Sequence, residues 1–194
     1  IEVALELAVA GEHNVLNAAA AWTAAADLGV DPRLLAETLG GFTGTSRRFE
    51  SRGSAGGVRV VDDYAHHPTE VAALLAQARL AAAGGRVLAL FQPHLYSRTL
   101  AFAGEFATAL GSADDVVVTG IYGAREEPRP GVTGALITDA MAAAGARARY
   151  VADRLDAART VAALARPGDL VLTVGAGDVT ELGSTILDEL QGRA

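Results

Sequence analysis

The chain has 194 residues, of which 51% are hydrophobic, so it can bury a sizeable core and does not have the composition of a disordered segment. Its formal net charge of −7 argues against nucleic-acid and membrane surfaces, which require clustered positive charge, and the absence of cysteine excludes disulfides and thiolate chemistry. With no long apolar run and no signal-like start, we expect a cytoplasmic protein without a nucleic-acid or membrane partner.

The first part of the sequence is predicted to be helical. Residues 12–27 form one predicted helix, and a second, short helix is expected between Asp31, a good N-cap, and Gly40. A mostly small and polar stretch follows. We place a domain boundary there, between residues 1–46 and residues 47–194.

From residue 47 onward the pattern changes to alternating strands and helices, beginning with a hairpin around a glycine-rich turn. Continuous apolar runs separated by helices of three to four turns are typical of a mostly parallel sheet covered on both faces. We therefore predict an α/β domain with about six strands and about five helices. The strands are expected over 48–52, 58–62, 86–91, 115–119, 147–151 and 169–174, and the helices over 68–83, 98–110, 134–144, 154–165 and 179–190.

Two dense polar runs follow two of these strands. Residues 62–70 read DDYAHHPTE and residues 92–99 read QPHLYSRT, and together they contain three of the four histidines. Ligands bind beyond the carboxyl ends of the strands in open α/β sheets, so the two runs are expected to face one site. The alternatives without a ligand are a solvated helix cap for the first run and a polar loop that binds nothing for the second. The density of both runs favours an enzyme site.

The first run combines a strand end with a helix start. Pro68 suits the first turn of a helix, so His66 and His67 should lie where backbone amide donors point. Asp63 leaves the strand and is a candidate to accept hydrogen bonds from ribose hydroxyls or to orient a histidine.

In the second run, Arg98 can hold a carboxylate or phosphate through paired hydrogen bonds. His94 can donate to the same anion or take a proton near neutral pH. Ser97 is the expected N-cap of the following helix.

Other features give weaker signals. The four histidines match no zinc spacing, so no metal site is expected in this chain. Residues 175–178 follow a strand as a dinucleotide loop does, but Thr180 occupies the place of the third glycine, and a tight turn explains the segment equally well. The charged loop 122–131 is long enough for a lid, although a solvated surface loop is the simpler interpretation.

Taken in chain order, these motifs resemble the Mur ligase family, and the match extends over nearly the whole sequence. The resemblance implies that residues 47–194 are a C-terminal Rossmann-like domain and that residues 1–46 are the helical end of a central P-loop ATP-binding domain. No Gly-x-Gly-Lys-Ser/Thr run is present. The phosphate cradle and the Mg²⁺ ligands are therefore expected upstream, and the fragment alone is expected to be inactive. The matching segments are 11–18, 47–50, 62–68, 91–94, 96–99 and 175–178, with the loop around Tyr122, Glu126 and Pro128.

Within the family, the resemblance favours the member that uses ATP to join L-alanine to the lactyl carboxylate of UDP-N-acetylmuramate through an acyl phosphate. It implies adenine contacts from Asn14 and Asn17, and further nucleotide contacts from Arg48 and Asp63. A monomer or weak homodimer is expected. The implied amino-acid pocket consists of Tyr64, His66, His94 and Arg98, of which His66, His94 and Arg98 form the catalytic set.

One residue departs from the family pattern, and three alternatives remain open. Leu95 stands where many relatives carry a second arginine, which leaves more of the carboxylate binding to Arg98 and His94. The alternatives are a sister ligase that adds a whole tripeptide to the same sugar, a non-catalytic nucleotide-binding module and a dehydrogenase-like domain. The choice between alanine and a peptide as substrate distinguishes the two ligases.

Overall fold

The computed structural model describes residues 3–9 and 11–193. They fall into two compact units, the first ending at Ser46 and the second beginning at Arg47. The first unit contains helices α1 (Glu12–Asp27) and α2 (Pro32–Gly40). Among the described residues, no helix combines the length and apolarity needed to cross a bilayer.

The second unit contains a six-stranded sheet with five α-helices, which confirms the predicted α/β class. A short 3₁₀ helix, Asp178–Glu181, precedes the last helix. The elements are β1 (Glu50–Ala55), β2 (Val58–Asp63), α3 (Pro68–Ala82), β3 (Val87–Phe91), α4 (Tyr96–Leu110), β4 (Asp115–Val118), α5 (Ala135–Ala143), β5 (Ala148–Tyr150), α6 (Arg154–Leu164), β6 (Leu170–Val174) and α7 (Leu182–Gln191).

The strand order β1-β2-β6-β3-β4-β5 determines where the site forms. Only β1 is antiparallel, while the other five strands run parallel, and the last strand in the sequence lies between β2 and β3. The carboxyl ends of β2, β6, β3 and β4 therefore share one edge. The loops that follow these strands meet there.

The core explains why the central strands are continuous apolar runs. Every residue of β3 and β6 is buried, because each strand packs on both of its faces. Phe91 and Phe106 belong to the core on the side of α3, α4 and α5, whereas Leu90, Val161 and Ile186 belong to the core on the side of α6 and α7. This arrangement is a Rossmann-like sheet covered on both faces.

The start of α4 differs from its prediction. The helix begins at Tyr96, and its N-cap position is Leu95, whose φ of 69° is left-handed and whose side chain has no acceptor. Ser97 is already inside the helix, so the prediction that it is the N-cap was wrong. The acceptor for this helix end comes instead from Glu126, 29 residues downstream. The other predicted elements are present with slightly shifted bounds.

Candidate active site

The carboxyl edge of the sheet is organised around Asp62 in β2, which is fully buried. Its carboxylate accepts hydrogen bonds from three separate parts of the second unit, and together these bonds fix the loop after β6 against the start of the unit. The donors are Thr173 Oγ1 at 2.6 Å, Thr180 Oγ1 at 2.9 Å and Arg47 Nε at 3.2 Å.

Arg47 connects Asp62 to the loop after β6 and to Tyr64. Its Nη2 donates to the carbonyl of Gly175 at 2.6 Å and to that of Gly177 at 3.1 Å. Its Cζ also lies 5.0 Å from the ring centroid of Tyr64, within the range of a cation–π contact. One guanidinium therefore holds the loop after β6 and supports the Tyr64 ring.

The glycine-rich loop after β6 is packed by protein side chains. A Cβ on Gly177 would lie 2.5 Å from Tyr122 Cγ and even closer to Gln92 Oε1, so only glycine fits there. The Gln92 amide donates to Asp178 Oδ1 at 2.7 Å and accepts from the Val179 N–H at 3.1 Å. These contacts explain the loop as a tight strand-to-helix turn.

Asp63 is bound mainly by backbone. Its two oxygens each accept a 2.8 Å hydrogen bond, one from the Phe49 N–H and one from the Ala65 N–H. Burial raises the pKa of Asp63, and these hydrogen bonds and the Arg48 charge only partly oppose that rise. Asp63 thus fixes the backbone beside Arg48, whose exposed guanidinium lies 5.7 Å from the ring centroid of Tyr64. The nucleotide contacts of Asp63 and Arg48 stay a prediction.

The start of α3 forms a capping box. The ring Nδ1 of His67 accepts from the Thr69 N–H at 3.4 Å, and the Glu70 carboxylate accepts from the backbone N–H groups of His66 and His67 at 2.9 and 3.2 Å. Burial raises the pKa of Glu70, but these hydrogen bonds and the His66 charge outweigh it, so the pKa lies below its usual value. His67 therefore serves the helix, while the His66 ring is available to the site.

The hydrogen-bond network assigns the proton position on His66. Its Nδ1 lies 3.0 Å from the Tyr64 carbonyl oxygen and 3.2 Å from a Glu70 oxygen. A carbonyl oxygen only accepts, so Nδ1 carries a proton, and in the neutral ring Nε2 is the acceptor. The ring packs edge-on against Tyr64, with 5.1 Å between centroids.

His94 lies in the loop after β3 and contacts both neighbouring loops. Its ring stacks on Tyr122, with 5.9 Å between centroids, and meets the His66 ring edge-on at 5.8 Å. Burial lowers the pKa of His94, and the Arg98 charge lowers it further. Its Nδ1 is buried and has no hydrogen-bond partner within the described part of the chain. The hydrogen-bonding capacity of this nitrogen is therefore unused among the described residues.

Arg98, in the first turn of α4, completes the cluster. Its Nη1 donates to the His66 carbonyl at 3.1 Å, which ties the two polar runs together. A guanidinium has five N–H donors, so others remain for a bound anion. The structure thus brings Tyr64, His66, His94 and Arg98 into one cluster. The remaining two predicted residues, Asn14 and Asn17, lie one turn apart on α1 in the first unit, and their adenine contact stays a prediction.

Several residues that support the site were not predicted to do so. Asp62 lies in the first polar run, where the sequence assigns it no role, although an aspartate one residue before the end of an apolar strand indicates a buried carboxylate with bound donors. The roles of Arg47, Gln92 and Glu126 depend on partners brought close by the fold, and the sequence carries no local signal for them. Glu70, three residues after the N-cap His67, matches the local spacing of a capping box, so its role did have a local signal.

A separate depression of about 370 Å³ lies at the same edge, lined in part by Thr119, Tyr122, Arg154 and Asp178. The Arg154 charge is already paired, at 3.3 Å with Asp178 and 2.8 Å with Glu181. The His66, His94 and Arg98 cluster, with its unused donors and acceptor, has the stronger chemistry for binding a charged ligand.

The cluster suits a small zwitterion. Arg98 offers donors to a carboxylate, and a neutral His94 offers an acceptor to an ammonium group. Over residues 3–9 and 11–193, no group of three or more His, Cys, Asp or Glu side chains is arranged to hold a metal ion.

Relatives of the chain are known. It is 61% identical over 97% of its length to UDP-N-acetylmuramate–L-alanine ligase from Kineococcus radiotolerans, and 57% identical over 96% to the enzyme of the same name from Saccharopolyspora erythraea. It covers 40% and 38% of those proteins, so the chain spans about two fifths of the curated relatives it matches.

Solved structures agree with the fold. UDP-N-acetylmuramate-alanine ligase MurC from Thermotoga maritima superposes with a TM-score of 0.81 at 31% identity, over 100% of this chain and 41% of that one. A murein peptide ligase from Psychrobacter arcticus superposes with a TM-score of 0.75 at 25% identity, over 96% of this chain and 38% of that one.

A family model locates the relationship along the chain. The model described as "Mur ligase, glutamate ligase domain" matches residues 47–177, so it begins where the second compact unit begins. That match includes both polar runs and the His66, His94 and Arg98 cluster, and it extends over more than half of the sequence. The chain belongs to the Mur ligase family.

Proposed function

We propose that the chain is the C-terminal part of an ATP-dependent ligase that joins L-alanine to the lactyl carboxylate of UDP-N-acetylmuramate, a step in making peptidoglycan precursors. The observation that carries the proposal is the convergence of His66, His94 and Arg98 at the carboxyl edge of the sheet. The high identity to ligases of that name supports the choice of substrates.

In the proposed reaction, ATP first phosphorylates the lactyl carboxylate, giving an acyl phosphate and ADP. The amine of L-alanine then attacks the acyl carbon, a carbon–nitrogen bond forms, and the tetrahedral intermediate releases phosphate as the carbon–oxygen bond breaks. The ammonium form of alanine has no lone pair, so it must lose a proton before it attacks.

The described residues fit the amino-acid half of this reaction. Arg98 binds the alanine carboxylate, which orients the amino group toward His94. We assign the His94 ring, which burial keeps neutral, to accept the ammonium hydrogen bond or its proton. Tyr64 and His66 form the neighbouring wall of the pocket.

The nucleotide half of the reaction is assigned by family resemblance. That resemblance assigns adenine contacts to Asn14 and Asn17 and further nucleotide contacts to Arg48 and Asp63. The same resemblance assigns the magnesium ligands to the part of the ligase upstream of this chain. As a part of the ligase, the chain alone is expected to be inactive, and the whole enzyme is expected to be a monomer or weak homodimer.

A tripeptide-adding ligase is the second candidate, favoured by the structural match to the murein peptide ligase. The test is phosphate release by the full-length protein with ATP, magnesium and UDP-N-acetylmuramate, with L-alanine or the tripeptide in parallel and the 194-residue chain as the inactive control. Turnover with alanine supports the proposal. Turnover only with the tripeptide selects the second candidate, and no turnover with either contradicts both.

A further inference from the structure

We infer that Glu126 is a positioning residue for the amino-acid site: it fixes the first turn of α4 and thereby the direction of Arg98. This inference rests on the proposed function. It concerns a residue in the loop after β4, outside the two polar runs that form the pocket.

Glu126 binds Ser97 through both of its carboxylate oxygens. Glu126 Oε2 accepts from the Ser97 N–H at 2.8 Å, and Glu126 Oε1 accepts a short hydrogen bond from the Ser97 hydroxyl. The first N–H groups of a helix have no partner inside the helix, and Leu95 at the N-cap position has no side-chain acceptor. Glu126 therefore supplies the cap that α4 lacks.

The contact between Glu126 and Ser97 lies next to the groups proposed to bind the amino acid. Ser97 directly precedes Arg98, so a shift or rotation of the first turn moves the guanidinium relative to His94 and His66. A carboxylate at a helix N-terminus also interacts favourably with the helix dipole. The hydrogen bonds from Ser97 lower the pKa of Glu126 further below neutral pH, so the group that caps the helix is a carboxylate.

The same loop also fixes His94. The Leu95 N–H donates to the Tyr122 carbonyl at 3.0 Å and the Tyr122 N–H donates to the Pro93 carbonyl at 2.9 Å, while the Tyr122 ring stacks on His94. The segment that carries His94 and Arg98 is thus held in place by contacts with Tyr122 and Glu126. Both residues belong to the loop that the sequence alone suggested was a solvated surface segment.

The backbone of the loop after β4 comes close to α4 at Gly123. A Cβ on Gly123 would lie 2.8 Å from Tyr96 Cε2 and 2.9 Å from the Glu126 carbonyl oxygen, so this position requires glycine. The Glu126 N–H donates to the Gly123 carbonyl at 2.8 Å, which closes a tight turn. The turn places the Glu126 carboxylate over Ser97.

The test uses the full-length protein with three variants and one matched control. Glu126→Ala is expected to raise the apparent KM for L-alanine about tenfold with little change in the KM for ATP, because misplacing a binding group weakens only the ligand it contacts. Ser97→Ala, which keeps the N–H bond, should show a smaller rise. Glu126→Gln should stay close to the unmodified protein, because its amide can accept from the N–H and donate to the hydroxyl. Glu127→Ala, at the exposed neighbouring glutamate, is the control and should change neither constant.

A second readout is independent of turnover. Amide hydrogen exchange over residues 96–99 should be faster in Glu126→Ala than in Glu127→Ala, because the first turn of α4 loses its cap. Equal exchange in the two variants, or equal rises in the KM values for alanine and ATP, overturns the inference. If the unmodified protein turns over neither alanine nor the tripeptide, the proposed function fails, and the exchange experiment still decides whether Glu126 fixes α4.

Discussion

At the amino ends of the strands, arginines and aspartates neutralise one another, whereas at the carboxyl ends the basic groups keep unused hydrogen-bonding positions. At the amino edge, Arg86 makes two hydrogen bonds to Asp169, at 3.2 and 2.5 Å, and a third to the Leu164 carbonyl. Asp114 accepts from Arg79 at 2.6 Å and from the Val87 N–H at 2.7 Å. Each charge meets an opposite charge or a backbone group.

The carboxyl edge combines both arrangements. The buried Asp62 pairs with the partly exposed Arg47 at 3.2 Å, so here too the two opposite charges meet. At the same edge, His94 Nδ1 has no partner among the described residues, and Arg98 uses one N–H on the His66 carbonyl. The difference supports the proposed amino-acid site better than the content of charged residues does, because both edges are rich in arginine and aspartate.

The largest expected effect is on stability and tests the pair formed by the buried Asp62 and Arg47. Asp62→Asn should lower the free energy of unfolding by about 3 kcal/mol, because it leaves the Arg47 guanidinium without its counter-charge. Asp169→Asn at the amino edge should cost about 2 kcal/mol, since its partner Arg86 is more exposed. Chemical denaturation of the 194-residue chain measures both. If the proposed function holds, only Asp62→Asn should also raise the KM for alanine in the full-length protein, and equal kinetic effects would remove the distinction between the edges.

The next largest expected effect is on the KM for alanine and tests the unused N–H donors of Arg98. Arg98→Ala should raise the apparent KM for alanine about a hundredfold, the equivalent of one charge-assisted, paired carboxylate contact. The KM for ATP should change far less. Arg79→Ala, which removes an arginine from the amino edge, is the control and should leave both constants unchanged. A similar rise for both substrates in Arg98→Ala would contradict the carboxylate assignment.

The smallest effect is a pH dependence. Burial lowers the pKa of His94, the charges of Arg98, His66 and Arg125 lower it further, and Glu126 partly opposes them. A histidine in the unfolded chain has a pKa of about 6.5, so the stability that neutral His94 contributes is complete above that value and is lost as the pH falls through the lower folded pKa.

The measurement compares the unfolding free energy of the unmodified chain with that of His94→Gln between about pH 7.5 and pH 5. The unmodified chain should lose stability relative to the variant as the solution is acidified. A relative gain on acidification would show that the ring is held in its charged form and would remove it as the acceptor for the alanine ammonium.

The sequence predicted the elements well, because buried strands such as Val87–Phe91 are read from local hydrophobicity. It also located the Asp62 and His94 runs, because polar residues at strand ends are a local signal as well. It did not predict the cap of α4, because the acceptor for Ser97 lies on Glu126, in a loop from another part of the chain. The buried Asp62 cluster was missed for the same reason: its donors Thr173 and Thr180 are distant in sequence.

The position of β6 has a consequence for how the domain folds during synthesis. Residues 59 and 87 both pair with Leu170, so the strand that joins the two halves of the sheet is the last strand to be made. Until it emerges from the ribosome, β2 and β3 present unpaired edges that can associate with other chains. A chain that stops before Leu170 should therefore aggregate, and the pairings between distant residues should make folding slow.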